Sequence, residues 1–488
     1  MKKSPLKCLF VSSEVAPYAK TGGLADVAGA LPKELRQNGV DVRVAMPYYS
    51  SMFGKFFDHD KGFLTSFEVY LNWRKQGVGI YYDNTIMPTY FIKSDAYFYR
   101  EGLYGYHDDY ERFAFFCKAV LELIKHIDFV PDIIHCNDWQ TGPVCLLLKE
   151  KYRYDPMYAN MKTVFTIHNM KYQGLFGKDA LEVLELSDSY MHSDKIEFHG
   201  AVSYMKAGLV YSDKITTVSP TYAEEIKTPG YGCGLDDLLR NKYYYKLEGI
   251  LNGLDYKLYD PATDTRIYEP YDSSCLEKKE NNKRAFQEEY GLKQDGSMLI
   301  SIISRITNQK GFDLLKHTID HLWIMDKIMQ LKVQVAILGT GDYEYENMFK
   351  HFAYRYSDRS AVFITFDETI AQKIYAASDA FLMPSAFEPC GLGQLMAMRY
   401  GTVPIVRNTG GLKDTVIHYN SETKQGTGFE FEDYSGYWLY RKIEEAYWYY
   451  TERRDDFKQI MLNCMKADFS WEESARKYQL MYQKLVKM

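Results

Sequence analysis

The chain has 488 residues, 46% hydrophobic and 25% charged, enough for two large domains or three smaller ones whose cores need no disulfide or metal staple. Lys and Arg (59) fall short of Asp and Glu (65), a net charge of −6, which argues against a nucleic-acid-wrapping or basic membrane-binding surface. No apolar run approaches the roughly 18 residues of a membrane span, and the stretch 8–11 is too short for a secretory leader.

Strand candidates follow at 8–12, 42–46, 133–136, 164–167, 215–218, 299–304, 333–338, 362–366, 380–383 and 403–406. Each is a short Val-, Ile-, Leu- or Phe-rich run, the pattern of parallel strands covered on both faces. Helical patterns at 24–37, 112–126, 282–290 and 370–377 fall between them, so the chain is expected to be α/β with doubly wound parallel sheets. A junction is expected near 250–255, ahead of an irregular stretch with Pro261 and Pro270. Thr-Gly-Gly-Leu occurs once in each half, at 21–24 and 409–412. Eight cysteines without a Cys-x-x-Cys pair exclude a zinc knuckle or thioredoxin motif and fit a reducing cytoplasm. The 44 tyrosines fit either sugar stacking or a plain composition bias.

Chemistry concentrates at the strand ends. A Gly-Gly turn between strand and helix offers backbone N–H groups at a positive helix end, or merely a tight connection; at the first one, Lys20 and Asp26 add a cation and a carboxylate. Arg305 and Lys310 follow the strand candidate 299–304, where open α/β sheets bind ligands. Five residues apart, they could clamp a diphosphate, although the spacing alone also fits a solvated turn. Phe387-Glu388-Pro389-Cys390-Gly391-Leu392-Gly393 follows another strand. Glu388 suits sugar hydroxyls or a helix first turn, and Cys390, with no base beside it, reads as structural. His135-Cys136-Asn137-Asp138-Trp139 and Thr166-Ile167-His168-Asn169 also close strands. His317 and His321 have metal-like spacing on a predicted helix but no third ligand, and read as surface residues. No Walker loop, zincin or Ser-His-Asp pattern is present, and neither metal nor cofactor is expected.

Taken in order, Lys20-Thr21-Gly22-Gly23-Leu24-Ala25-Asp26-Val27, His135 through Trp139, Phe165 through Asn169, Ser219-Pro220-Thr221-Tyr222-Ala223, Ile250-Leu251-Asn252-Gly253, Ser304-Arg305 through Lys310-Gly311, Glu388-Pro389-Cys390-Gly391-Leu392 and Asn408-Thr409-Gly410-Gly411-Leu412 closely resemble the bacterial glycogen synthase and plant starch synthase family. The resemblance implies a GT-B fold: an acceptor-side Rossmann-like domain at 1–250, a nucleotide-sugar domain at 251–468, a helix at 469–488 crossing back to the first domain, and an active site in the cleft between domains. It implies retaining transfer of glucose from an ADP-glucose donor to the non-reducing 4-hydroxyl of a glycogen-like α-1,4-glucan acceptor. Arg305 and Lys310 would hold the diphosphate, reached from the other domain by Lys20 and the Gly22-Gly23 loop. Glu388 and His168 would bind the donor glucose, and Asp138 would sit near the reacting carbon or the acceptor. Asp26 and Asn252 match donor-binding positions. Cys390, Gly391, Leu392 and Gly393, with Thr409, Gly410 and Gly411, would line the donor site and add backbone donors.

Three departures from the wider pattern stand out. Met396 occupies the position of a second, ribose-binding Glu, which favours the starch and glycogen branch. Gly393 stands where Thr is common, and Phe366 where a Tyr often stacks on adenine. The alternatives are a transferase of the same fold using UDP-glucose and a non-catalytic glucan-binding protein; a phosphorylase is disfavoured by the absence of a pyridoxal-lysine signature.

Overall fold

The computed structural model describes residues 5–56 and 62–487; residues 1–4, 57–61 and 488 of the expected domain and helix ranges lie outside them. The chain forms two compact units, Met1–Gly253 with Trp471–Met488, and Leu254–Ser470.

The first unit is built on β1 (Lys7–Val11), β2 (Asp41–Pro47), β3 (Phe63–Leu71), β4 (Arg74–Asp83), β5 (Thr89–Lys93), β6 (Ile133–Asn137), β7 (Lys162–Ile167), β8 (Lys214–Thr217) and β9 (Leu247–Gly249). They form one sheet in the order β9-β8-β7-β6-β1-β2-β5-β4-β3. All neighbours pair in parallel except β3, β4 and β5, which run antiparallel along one edge. The central strands β1 and β6 are mostly apolar and, apart from Lys7, buried, as parallel strands under helices on both faces are. Those helices include α1 (Gly23–Gln37) and α2 (Asp109–Leu123).

The second unit carries β10 (Met298–Ile303), β11 (Val333–Leu338), β12 (Ser360–Phe363), β13 (Ala380–Met383), β14 (Val403–Arg407) and β15 (Phe429–Phe431), in the order β12-β11-β10-β13-β14-β15. Every pair is parallel. Counted within the unit this is 3-2-1-4-5-6, the doubly wound Rossmann order. Its helices include α3 (Glu277–Glu289), α4 (Tyr343–Arg355), α5 (Glu368–Ala377), α6 (Gly393–Arg399), α7 (Gly410–Thr415), α8 (Gly436–Glu452) and α9 (Arg454–Lys466).

The chain's last helix, α10 (Trp471–Lys487), packs in the first unit. Its Tyr482 hydroxyl lies 2.5 Å from His135 Nδ1, and Gln479 Nε2 donates to Asn38 O at 2.8 Å. His135 Nε2 meets Thr166 Oγ1 at 2.6 Å, so this histidine is a satisfied core group. Burial holds its imidazolium form down to a pKa of about 3.

Two local expectations are corrected. The helix proposed around His317 and His321 is a short hairpin, Thr318–Ile319 against Leu322–Trp323. Asp320 and His321 take positive φ of 51° and 64° at its turn, a left-handed conformation that Asp and His tolerate better than most residues. The strand expected at 362–366 stops at Phe363. There the chain leaves the sheet so that the Asp367 side chain can cap α5, accepting from Ile370 N–H at 2.9 Å. Phe366 is left 74% exposed.

Candidate active site

The parallel strands of each sheet reverse their order at one point: between β1 and β6 in the first unit, and between β10 and β13 in the second. Ligands of open α/β sheets bind outside the carboxyl ends of strands at such switch points. The predicted residues gather there. Asp138 and His168 follow β6 and β7, whereas Arg305 and Lys310 follow β10 and Glu388 follows β13.

In the second unit, Lys310 Nζ meets Glu388 Oε2 at 2.6 Å, with both side chains largely buried. Ser385 Oγ donates to the same oxygen at 3.0 Å. Gln309 braces the segment, its carbonyl accepting from Ala386 N–H at 2.9 Å and its Nε2 donating to Phe387 O at 3.2 Å. The Lys310 loop can press against this strand end only because Gly311 has no side chain. Its φ is 78°, and a Cβ there would lie 2.0 Å from Pro384 O. Arg305 is exposed at the mouth of β10.

The second Gly-Gly turn is wedged under the Glu388 segment. Gly411 N–H donates to Glu388 O at 3.1 Å. Gly410, with φ 47°, and Gly411 would place Cβ atoms 1.9 Å from Glu388 O and 2.1 Å from Cys390 O. Thr409 is buried and caps α7 by position, and Leu392 and Gly391 lead into α6. Cys390 is buried with no disulfide. Gly393 opens α6 with the Phe381 ring 3.1 Å from where its Cβ would stand, so the space of the commoner threonine is filled by phenylalanine here.

In the first unit, Asp138 holds φ 56° with ψ 179°, a combination that costs a non-glycine residue on the order of 1–3 kcal/mol and persists where the surroundings enforce it. Its Oδ1 accepts from His168 N–H at 2.7 Å. Burial still outweighs that bond and raises the carboxyl pKa to about 7. His168 Nε2 lies 2.9 Å from Asn137 Oδ1. Because Asn137 Nδ2 donates to Val11 O at 3.0 Å, its Oδ1 is the acceptor, and His168 carries its proton on Nε2. Burial lowers the pKa of His168 to about 3, so the ring stays neutral. Asn252 sits just past β9, and its Oδ1 is buried without a hydrogen-bond partner among the described residues. Buried polar atoms are rarely left so.

The first Gly-Gly turn holds a residue that sequence reading missed. Glu14, three residues past the end of β1, is buried. Its carboxylate accepts from Thr21 N–H at 2.5 Å, Thr21 Oγ1 at 2.7 Å, Gly22 N–H at 3.3 Å and Tyr104 OH at 2.7 Å. The backbone donors of this turn are thus engaged by the protein's own anion. Lys20 Nζ pairs with Asp26 Oδ1 at 2.7 Å across the turn, while Gly22 and Gly23 start α1. The only signal for Glu14 was an acid closing the apolar run Leu9-Phe10-Val11.

Residues 7–241 match the starch synthase catalytic domain and residues 283–459 the glycosyl transferases group 1 model. The chain is 46% identical to a glycogen synthase of Clostridium acetobutylicum, over 99% of this chain and 100% of that protein. It is 48% identical to one of Clostridium perfringens, over 99% of each. The solved catalytic domain of starch synthase IV from Arabidopsis thaliana, bound to ADP and acarbose, superposes with a TM-score of 0.91 at 32% identity, covering 99% of this chain and 100% of that one. No helix among the described residues is long and apolar enough to cross a membrane. With two Rossmann-like units and relatives matched from end to end, the chain belongs to the glycogen synthase and starch synthase family of GT-B glycosyltransferases.

Proposed function

We propose that the chain transfers glucose from ADP-glucose to the non-reducing 4-hydroxyl of an α-1,4-glucan with retention at the anomeric carbon. The observation that carries this reading is the Lys310–Glu388 pair at the β10/β13 switch point, with Arg305 exposed earlier on the segment that follows β10. Lys310 and Arg305 bind the diphosphate and neutralise the charge that builds on it as the C1–O bond breaks. Glu388, held by Lys310 and Ser385 through Oε2, offers Oε1 to a glucose hydroxyl. The backbone of Cys390, Gly391, Leu392 and Gly393 and the turn Thr409-Gly410-Gly411 border the same donor. Exposed Phe366 supplies a face for adenine, and the ADP in the Arabidopsis starch synthase complex supports that nucleotide.

The first unit contributes Lys20, Asp26, the Gly22-Gly23 turn and Asn252 to donor binding, and Asp138 and His168 to the sugar and the acceptor. As neutral imidazole protonated on Nε2, His168 keeps Nδ1 as an acceptor for a hydroxyl. The acceptor O4 bonds to C1 on the face the diphosphate leaves, and its proton passes to the departing phosphate oxygen. No protein carboxylate then needs to act as a nucleophile. The eight cysteines, none in a disulfide, support a cytoplasmic setting.

Nucleotide release with ADP-glucose and with UDP-glucose, each with and without glycogen, tests the reading. Release that needs both ADP-glucose and glycogen is expected. Faster release from UDP-glucose overturns the donor assignment, and glycogen binding without any release overturns catalysis.

A further inference from the structure

Four strand ends of the second unit meet around the Lys310–Glu388 pair, and residues without a role above tie them together. Arg407, the last residue of β14, turns its guanidinium onto the segment that leads from β13 to Glu388. Its Nη1 donates to Ala386 O at 2.7 Å and lies 3.4 Å from Ser385 O. Its Nε donates to Glu432 O at 3.1 Å, just past β15. Two residues on, the Tyr434 ring faces the same guanidinium, with 5.4 Å between its centroid and Cζ. The Tyr434 hydroxyl donates to Asp313 Oδ1, and Asp313 stands three residues past Lys310. Burial and the Asp313 carboxylate push the Tyr434 pKa up, so the hydroxyl keeps the proton it donates. Along the same seam Gly436 N–H donates to His317 Nδ1 at 3.3 Å, and a Cβ on Gly436 would stand 2.5 Å from the His317 Cβ.

These contacts close a circuit. From Glu388 it runs back to Ala386, across to Arg407 and Tyr434, over to Asp313 and on to Lys310, whose ammonium meets Glu388 Oε2 at 2.6 Å. Backbone packing at Gly311 brings the Lys310 and Glu388 segments together, but packing alone does not set how far one slides along the other. Directed hydrogen bonds from a planar guanidinium and a phenol do. Arg407, Tyr434 and Asp313 are only half-buried, a setting in which such contacts add modestly to stability. A displacement of about 1 Å between reacting groups, by contrast, can cost about 10²-fold in rate. The circuit serves geometry more than folding.

We propose that Arg407 and Tyr434 are positioning residues for the transfer reaction: they fix the spacing between Lys310, on the diphosphate, and Glu388, on the sugar. The proposal rests on those two roles as proposed above and deepens them. A nucleotide sugar spans both groups and feels their spacing, whereas ADP meets the diphosphate side alone.

The test compares the full-length wild type with Tyr434→Phe, which removes the hydroxyl and keeps the ring, and with Arg407→Lys and Arg407→Ala. Nucleotide release from ADP-glucose with glycogen gives kcat and KM, and competition gives Ki for ADP. Backbone hydrogen exchange read by mass spectrometry reports on peptides covering 306–316 and 384–390. kcat should fall about tenfold in Tyr434→Phe and about 10²-fold in Arg407→Ala, with Arg407→Lys between that variant and wild type. Ki for ADP should stay within about twofold and Tm within about 3 °C, and exchange should quicken in those two peptides alone. Wild-type kcat in both Tyr434→Phe and Arg407→Ala overturns the proposal. So does a fall in kcat matched by an equal loss of ADP affinity and by faster exchange throughout the second unit, which is loss of fold rather than of spacing. A wild type that releases no nucleotide from ADP-glucose defeats the proposed donor instead. Exchange then decides the circuit: faster in the two peptides supports it, and unchanged exchange there overturns it.

Discussion

Removing Lys310 should damage stability and turnover together, and the two losses should respond differently to a second substitution. Its ammonium lies 2.6 Å from Glu388 Oε2, with side-chain exposures of 14% and 8%. At an effective dielectric near 20 that separation gives a Coulomb attraction of about 6 kcal/mol. Desolvation of both ions offsets much of it, yet losing one partner of such a pair typically costs about 3–5 kcal/mol, because a buried charge is left uncompensated. In Lys310→Ala, Glu388 Oε2 would keep the hydrogen bond from the Ser385 hydroxyl but lose its ammonium. For a unit of this size each kcal/mol moves the midpoint by about 2–4 °C, so calorimetry should show the second unit melting roughly 6–20 °C lower. The charge also serves the leaving diphosphate in the proposed reaction, so kcat should fall about 10²–10³-fold. Lys310→Ala/Glu388→Ala removes both charges; it should regain much of the lost Tm while remaining inactive. A Lys310→Ala enzyme within a few-fold of wild-type kcat refutes the phosphate role. An unchanged Tm refutes the buried pair itself.

Three further outcomes follow from the same geometry. Glu14→Ala deletes the acceptor shared by Thr21 N–H, Thr21 Oγ1 and Gly22 N–H; at about 1.5–3 kcal/mol per charged hydrogen bond, kcat/KM should drop at least tenfold, and wild-type kinetics in that variant would separate the turn from catalysis. Gly393→Thr forces a Cβ to 3.1 Å from the Phe381 ring and should cost about 1–3 kcal/mol by overpacking, relieved by Phe381→Leu in a denaturation series. Acid should destabilise the first unit. His135 and His168 are neutral when folded, with pKa values of about 3 against 6.5, so the unfolded chain takes up their protons as pH falls below 6.5. Asp138, raised to about 7 from 3.8, takes up its proton in the folded state and acts oppositely. Two losses and one gain leave a net slope of about 1.4 kcal/mol per pH unit between 6.5 and 3.8. His135→Gln should lower that slope by about 1.4 kcal/mol per unit in urea titrations, and an unaltered slope would contradict the burial argument.

What the sequence shows depends on whether a constraint is local. Buried parallel strands announce themselves because both faces are covered, so β11 (Val333–Leu338) and β13 (Ala380–Met383) coincide with their apolar runs. The antiparallel edge strands β3 and β4 escaped notice because their faces alternate between solvent and core, with Phe63, Leu64 and Tyr70 exposed, and carry no continuous apolar run. The hairpin at Asp320 and His321 is invisible in the sequence because positive φ at Asp and His leaves no mark in a hydrophobic pattern. Lys310 and Glu388 could each be suspected from a strand end, but they are 78 residues apart. Only the adjacency of β10 and β13 makes them a pair.

The repeated Gly-Gly turn shows why local motifs understate a site. In both units a glutamate at the end of the strand flanking the switch point ties down the turn, by different atoms. Glu14 does so with its carboxylate, on Thr21 and Gly22, and Glu388 with its main-chain carbonyl, on Gly411. The consequence is a division of labour. Glu14 spends its side chain on holding the turn, whereas Glu388 holds its turn through the backbone and keeps its carboxylate for Lys310 and, in the proposed reaction, for the sugar. Turn chemistry is the same in the two halves, so the glycines alone could not tell which half carries the reactive carboxylate. The neighbouring cation does: Lys20 is answered by Asp26 within its own turn, while Lys310 is answered by Glu388 itself. Substituting Glu388 should therefore free a lysine at the donor site as well as remove a sugar ligand. Substituting Glu14 should loosen a turn and leave the Lys20–Asp26 pair in place.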